Sequence, residues 1–363
     1  MIYDRSLWNA SQIATAAASW KEGGMPDLDG DFPPTIDLTS REAPAQIDDV
    51  CRDVGFFQIR GHGIPDDLVA ELFRAADEFF GQDLDQKMRW SSSQVEVERG
   101  YSAKGTEGFS YSLALEQPPD LMEGFSMGLE PLPDRPEFHT DAHYFFAPNI
   151  WPDEPAGLRE VMTAYWDEGN RVIHQITTLM ARSLGLDEDY FEPFTDASTD
   201  TLRINYFEGK PGETALPGQF GIGPHTDYGM CTLLLADQEP ALQVYTKEGE
   251  WRYIVPQAGA LLVNLGDLMA RWTNDRWRST LHRVTPVLAS DGERRRRRSI
   301  PFFHEGNFDA YVECLPTCTS PDNPPRYPPI TGGQHVFEKA IASRELRKAD
   351  ADSTVGDRAD ALA

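Results

Sequence analysis

From Thr201 onward the chain breaks into seven short runs rich in β-branched, aromatic and aliphatic residues. They are Leu202–Phe207, Cys231–Leu235, Leu242–Tyr245, Trp251–Ile254, Ala260–Asn264, Leu281–Val287 and Arg295–Phe303. Gly, Pro, Asn and Asp separate them, and runs this short with such punctuation predict strands of a sandwich or barrel. Further upstream the texture is mixed. Pro34–Leu38 and Gly55–Ile59 predict short strands. Ala45–Val54, Pro65–Phe80 and a long stretch within 155–186 carry apolar residues at helical spacing. His174 lies in the last of these and is expected to be a packed histidine rather than a ligand.

The chain has 363 residues with 40% hydrophobic content, enough to bury a substantial core. Its net charge of −26 predicts repulsion from nucleic acid and anionic membranes. No run of about 18 apolar residues is present, so no transmembrane helix is expected. The N-terminus lacks a basic region followed by an apolar one, which argues against a signal peptide and for a cytoplasmic protein. The four cysteines, Cys51, Cys231, Cys314 and Cys318, are too few for a disulfide framework and are expected to be free thiols. No obligate protein partner is evident.

Strand alternation brings particular side chains together. In a strand, residues i and i+2 point to the same face. His225 and Asp227 can therefore reach one point, and His282, in the β-like run Thr280–Val284, could arrive there from a neighbouring strand. Two imidazoles and one carboxylate suit one face of an octahedral metal, the facial arrangement of non-haem Fe(II) oxygenases. A surface His-x-Asp with an unrelated packed histidine would also fit these three residues alone. Arg294 to Arg298 form a run of five arginines. Alternation puts Arg295, Arg297 and Ser299 on one face and Arg294, Arg296 and Arg298 on the other. An arginine and a serine two apart on an inward face make a carboxylate receptor; on an outward face Arg297 would be one more solvated charge.

Several motifs in order then resemble one family. Pro34-Thr35-Ile36-Asp37-Leu38, the segment 53–65, Arg203-Ile204-Asn205-Tyr206-Phe207, the segment 223–235, the segment 263–275, the segment 279–284 and Arg297 to Phe303 together look like the isopenicillin N synthase-like Fe(II)/2-oxoglutarate-dependent oxygenases. The match runs from about residue 33 to residue 340. The resemblance implies a mainly β fold with flanking helices, its core a double-stranded β-helix (jelly roll, cupin-like). It implies Fe(II) held by His225, Asp227 and His282, and 2-oxoglutarate held through its distal carboxylate by Arg297 and Ser299, with O2 as co-substrate. Many relatives carry a tyrosine where this chain has Phe207, which cannot donate a hydrogen bond; Asn205 is a candidate to compensate. Relatives that halogenate lack the carboxylate that Asp227 supplies, so hydroxylation, desaturation or cyclisation of a small organic metabolite is expected. Its products beside the oxidised metabolite would be succinate and carbon dioxide. The rival expectations are an iron oxidase that uses no 2-oxoglutarate and a non-catalytic jelly-roll ligand-binding protein.

The substrate should be lined by Arg99, Tyr101, Tyr111, Phe125 and Met127, and by Phe303 on the Ser299 face; His304 alternates away. The chain is expected to be one integrated unit. Residues 1–100 would form an N-terminal region, 101–200 a substrate-lining segment with helices, and 201–310 the jelly-roll core. Residues 311–345 would form a C-terminal loop and helix, and 346–363 a disordered tail.

Overall fold

The structure, a computed structural model, describes residues 32–94, 97–110, 118–132, 145–209, 215–216, 218–287, 294–337 and 339. Tyr111 and the expected tail 346–363 lie outside these residues.

The described elements run β1 (Thr35–Asp37), α1 (Ala43–Asp53), β2 (Phe56–Arg60), α2 (Asp66–Phe80), α3 (Leu84–Met88), β3 (Gly100–Ser102), β4 (Glu123–Gly128), α4 (Leu158–Ser183) and β5 (Thr201–Phe207). They continue with β6 (Ile222–His225), β7 (Cys231–Ala236), β8 (Leu242–Tyr245), β9 (Trp251–Tyr253), β10 (Leu261–Leu265), α5 (Asp267–Trp272), β11 (His282–Val284), β12 (Arg297–His304), β13 (Tyr311–Val312) and β14 (Ile330–Thr331). All seven runs read from the sequence are strands.

Two sheets form the jelly-roll core. The larger has eight strands in the order β1-β2-β10-β7-β12-β5-β4-β3, and the smaller has four in the order β6-β11-β8-β9. The larger sheet is two-sided. Registers place Phe57, Val263, Leu233, Phe302, Leu202 and Met127 in one row across six strands. These side chains are buried with those of α1, α2 and α4 in one continuous apolar cluster. Trp166 of α4 meets Phe302 at 4.8 Å between ring centroids, and Phe79 of α2 meets Phe125 at 5.0 Å. Helix α2 begins with Asp66 and Asp67, favourable against the N-terminal dipole, and buries Leu72, Ala75, Ala76, Phe79 and Phe80.

The neighbouring residues on the same strands face the other way. Phe56, Asn264, Thr232 and Phe303 form one row, and Asn205 and Ser299 oppose each other directly. This inner face carries polar side chains and meets the smaller sheet.

Several short elements were not legible as elements, among them three near the site. Strand β4 contains Gly124 and Gly128, β6 contains Gly223 and Pro224, and α5 is six residues long. None has enough apolar periodicity to announce itself. His174 is corrected as well: its side chain is 62% exposed on α4, 3.6 Å from Glu192. The position follows Ile173 on the helix and falls one step past the buried stripe. The four cysteines are free and buried. No helix of the described residues is long and apolar enough to cross a membrane.

Candidate active site

His225 ends β6 and His282 begins β11, and the antiparallel register sets them directly opposite. Their ring centroids are 4.2 Å apart. Each Nδ1 lies against the carbonyl oxygen two residues earlier: Gly223 at 2.8 Å for His225 and Thr280 at 3.0 Å for His282. A proton on Nδ1 donated to that carbonyl leaves the Nε2 lone pair free. Asp227 follows two residues after His225. Its Oδ2 accepts from the Thr232 hydroxyl and from Asn264 Nδ2, the latter at 2.6 Å. Its Oδ1 is left towards the histidines, 3.8 Å from His225 Nε2 and 3.6 Å from His282 Nε2. Ligand atoms of the three residues all lie within 4.8 Å of one another, and all three residues are buried. The smaller sheet therefore supplies both imidazoles, while β7 and β10 of the larger sheet orient the carboxylate.

The electrostatics match a cation site. Burial, then the neighbouring His282, pushes His225 well below the ordinary histidine range, so its imidazole is neutral and able to ligate. Burial alone would raise Asp227. The two histidines and the hydrogen bonds from Thr232 and Asn264 outweigh that and hold it below the usual carboxylate range. The rings of Phe56 and Phe109 flank His282 and His225 at 5.3 and 5.1 Å between centroids, shielding the imidazoles from water. The segment bearing Phe109 is tied down by Asp120. The Asp120 carboxyl accepts from the main-chain N–H of Phe109 and of Gly223, each at 2.9 Å.

Arg297 and Ser299 share the inner face. Arg297 is 2% exposed. Its Nη1 donates to Ser299 Oγ at 3.1 Å, its guanidinium lies 5.2 Å from the Phe207 ring centroid, and its Nε has no partner. Burial lowers its pKa to about 10, yet it is still charged at neutral pH. A buried guanidinium with an unsatisfied donor and, among the described residues, no carboxylate bonded to it is the complement of an anionic ligand. Arg296 and Arg298 face outward, as alternation demands, whereas Arg294 and Arg295 precede β12 and depart from it. Arg298 lies over Phe73 of α2 and pairs with Asp77 and Asp237, and Arg296 also pairs with Asp77. Arg295, expected on the inward face, is exposed, and Arg294, expected outward, is buried and donates to the Glu208 carbonyl, because the strand alternation begins only at Arg297.

Asn205 opposes Ser299, but its Oδ1 accepts from Arg203 Nε at 2.8 Å. Arg203 is itself buried on the inner face and pairs with Glu98 and Glu107. Its guanidinium fills the space where a Cβ on Gly124 would sit, so only glycine fits there.

The expected substrate residues divide. Phe303 is part-buried on the inner face, opposite Thr232. Arg99 is buried and donates to the carbonyls of Glu98, Phe145 and Ala147. It fills the space beside Gly128 and acts as a strut for the 145–147 segment. Tyr101, Phe125 and Met127 are not brought to the triad, which corrects the expectation. Registers place Tyr101 opposite Phe125, Phe125 opposite Ile204 and Met127 opposite Leu202, on the helix side of the sheet. The Tyr101 hydroxyl donates to Glu123 at 2.5 Å and the Tyr101 ring packs against Phe79. Without β4 recognised as a strand, alternation could not be applied there. Thr232, Asn264, Phe56 and Phe109 were missed. The first two were within reach, because both sit in runs read as strands. His304 alternates away, as expected, and its Nδ1 lies 2.9 Å from Asp200 Oδ2.

Comparison with known proteins agrees with this geometry. Residues 32–154 match the family model described as non-haem dioxygenase in morphine synthesis N-terminal, and residues 198–306 match that of the 2OG-Fe(II) oxygenase superfamily. The chain is 36% identical over 290 residues to the 2-oxoglutarate-Fe(II) type oxidoreductase hxnY of Emericella nidulans, covering 79% of this chain and 80% of that protein. It is 32% identical over 317 residues to azadirone synthase LFS of Melia azedarach, covering 84% and 90%. Among solved structures, a full-length Neurospora crassa protein in complex with alpha-KG superposes with a TM-score of 0.76 at 27% identity, covering 89% of this chain and 100% of that one.

The chain belongs to the 2OG-Fe(II) oxygenase superfamily, with the isopenicillin N synthase-like arrangement. It is a 2-oxoglutarate-dependent dioxygenase that uses Fe(II), takes 2-oxoglutarate as co-substrate and acts on a small organic molecule.

Proposed function

We propose that His225, Asp227 and His282 hold Fe(II), that Arg297 and Ser299 hold the distal carboxylate of 2-oxoglutarate, and that the substrate is hydroxylated, desaturated or cyclised. The observation that carries this reading is the state of the ligand atoms. His225 Nε2, Asp227 Oδ1 and His282 Nε2 converge, while the remaining polar atom of each side chain is already bonded to the protein. Such pre-orientation leaves little to reorganise when a metal binds. Bound there, Fe(II) would supply oxygen activation coupled to the conversion of 2-oxoglutarate to succinate and carbon dioxide.

The protein's own residues do the rest. Arg297 offers its free donor to the co-substrate, Ser299 adds a hydroxyl, and Phe207 provides an apolar wall in place of a donor. Asn205 sits beside this clamp, its carbonyl oxygen engaged by Arg203 and its amide nitrogen available for a co-substrate oxygen. Phe56 and Phe109 keep water from the imidazoles. Phe303 borders the substrate, and Tyr111 remains a further candidate. Residues 201–310 form the chemical core of one integrated unit; the apolar cluster that runs from Ile36 to Cys318 supports this. The charge of −26 supports an enzyme that keeps away from nucleic acid and anionic membranes.

The test is direct. Under nitrogen, the Fe(II)-loaded protein is titrated with 2-oxoglutarate by calorimetry, then exposed to oxygen while succinate is measured. Binding and succinate formation are expected in the wild type, with a much weakened co-substrate affinity in Arg297→Ala. Unchanged affinity in that variant would overturn the clamp, and absence of succinate from the wild type would overturn the reading as a whole.

A further inference from the structure

Glu305 is a carboxylic acid on the site side of the larger sheet that no step above uses. It follows β12, where the inner face runs Arg297, Ser299, Pro301, Phe303. Phe303 stands opposite Thr232, which holds Asp227. Glu305 follows the last residue of the strand, His304, and so comes past that level, on the side of the triad away from Arg297. Its main-chain N–H donates to Asp200 Oδ1 at 2.9 Å, which fixes the turn. Its side chain then lies against Gly229, two residues after Asp227, where a Cβ would collide with Glu305 Oε2. That Oε2 is sealed from solvent and has no hydrogen-bond partner. Among the described residues no cation pairs with it.

Its surroundings are acidic. Burial, and then Asp200, Asp227 and Glu98, push its pKa well above the usual carboxylate range. Arg203, the cation beside Glu98, is shared between Glu98 and Glu107. A part-buried acid whose inner oxygen has no partner in a negative neighbourhood costs stability, and such groups persist where a ligand completes them. One end of the site therefore presents an unsatisfied cation and the other an unsatisfied acid.

We propose that Glu305 anchors the substrate of this oxygenase by taking a cationic nitrogen, amine or guanidine, on the side of the triad away from the Arg297 clamp. The inference rests on the oxygenase reading and names the class of substrate it uses. The 2-oxoglutarate end and the substrate end thereby carry opposite electrostatic requirements, which keeps the dianionic co-substrate out of the substrate position.

The experiment uses wild-type protein loaded with Fe(II) and 2-oxoglutarate under nitrogen, with three probes of matched size: pentylguanidine, pentylurea and hexanoate. Calorimetry is expected to show pentylguanidine binding at least about tenfold tighter than pentylurea, and hexanoate weakest. In Glu305→Gln the preference for guanidine over urea is expected to fall to within about threefold. Equal binding of the three probes by the wild type, or an undiminished preference in the variant, overturns the proposal. A second measurement separates recognition from scaffolding. Because the acid is unpaired in the unliganded protein, Glu305→Gln is expected to leave the Tm unchanged or raised. A fall of more than about 4 °C would assign Glu305 to the scaffold and overturn the anchoring role. If instead the wild type binds no 2-oxoglutarate, the oxygenase reading itself fails, an outcome distinct from loss of the guanidine preference.

Discussion

The two faces of the eight-stranded sheet come from the same strands and obey opposite rules. On the helix side, Phe57, Val263, Leu233, Phe302 and Leu202 are buried in one apolar cluster with α1, α2 and α4. On the other side, Arg203, Asn205, Thr232, Asn264, Arg297 and Ser299 are equally buried, yet each is polar. Burial of an apolar side chain is stabilising whatever its neighbours are. Burial of a polar one is tolerable only where a partner is built in or a ligand arrives. Thr232 and Asn264 have their partner in Asp227; Arg297 Nε and Glu305 Oε2 have none. The helix side thus holds the molecule together, and the inner side leaves Arg297 Nε and Glu305 Oε2 for ligands.

Substitutions can break this division, the largest effects coming first. His225→Ala, Asp227→Ala or His282→Ala should lower turnover by at least roughly a thousandfold, with the folded structure retained by circular dichroism. Phe302→Ala on the helix side should do the reverse. It is expected to cost about 3–5 kcal/mol in denaturant unfolding, while molecules that remain folded keep their 2-oxoglutarate affinity. If Phe302→Ala abolished co-substrate binding without loss of stability, the two faces would not be separable.

Arg297→Ala should weaken 2-oxoglutarate binding by about 2–4 kcal/mol, a loss of tens to hundreds of fold measured by calorimetry. Because its Nε is unpaired, the unliganded variant should be no less stable than the wild type. Thr232→Val removes one of the two bonds that aim Asp227 and should cut Fe(II) affinity roughly 10–100-fold, read by metal titration under nitrogen. Phe207→Tyr is the smallest change. It adds a hydroxyl beside the clamp and is expected to strengthen 2-oxoglutarate binding by about 0.5–1.5 kcal/mol. A weakened affinity there would show that the Phe207 ring face under Arg297, rather than a missing hydrogen bond, is what the site needs.

Alternation accounts for what could be read in advance and for what could not. It works wherever a strand can be recognised. His225 and Asp227, Arg297 and Ser299, and the turning away of His304 were all legible from spacing. It was silent in 99–128, where the glycines of β4 hide the strand, so Tyr101, Phe125 and Met127 were expected at the site and pack against the helices instead. The same glycine that hid β4, Gly124, makes room for Arg203.

The sequence by itself determined most strands of the core, the residue types brought forward at 225, 227, 282, 297 and 299, and the family. Those depend on residue type and on spacing within a few residues, which local backbone geometry converts directly into faces. The tertiary structure decided which strands lie side by side, and so which side chains meet. It set His282 opposite His225, brought Thr232 and Asn264 to Asp227, and left Arg297 and Glu305 unpartnered at opposite ends of the site. Pairings across tens to hundreds of residues follow from how the two sheets close over a shared core, and no local pattern specifies that closure.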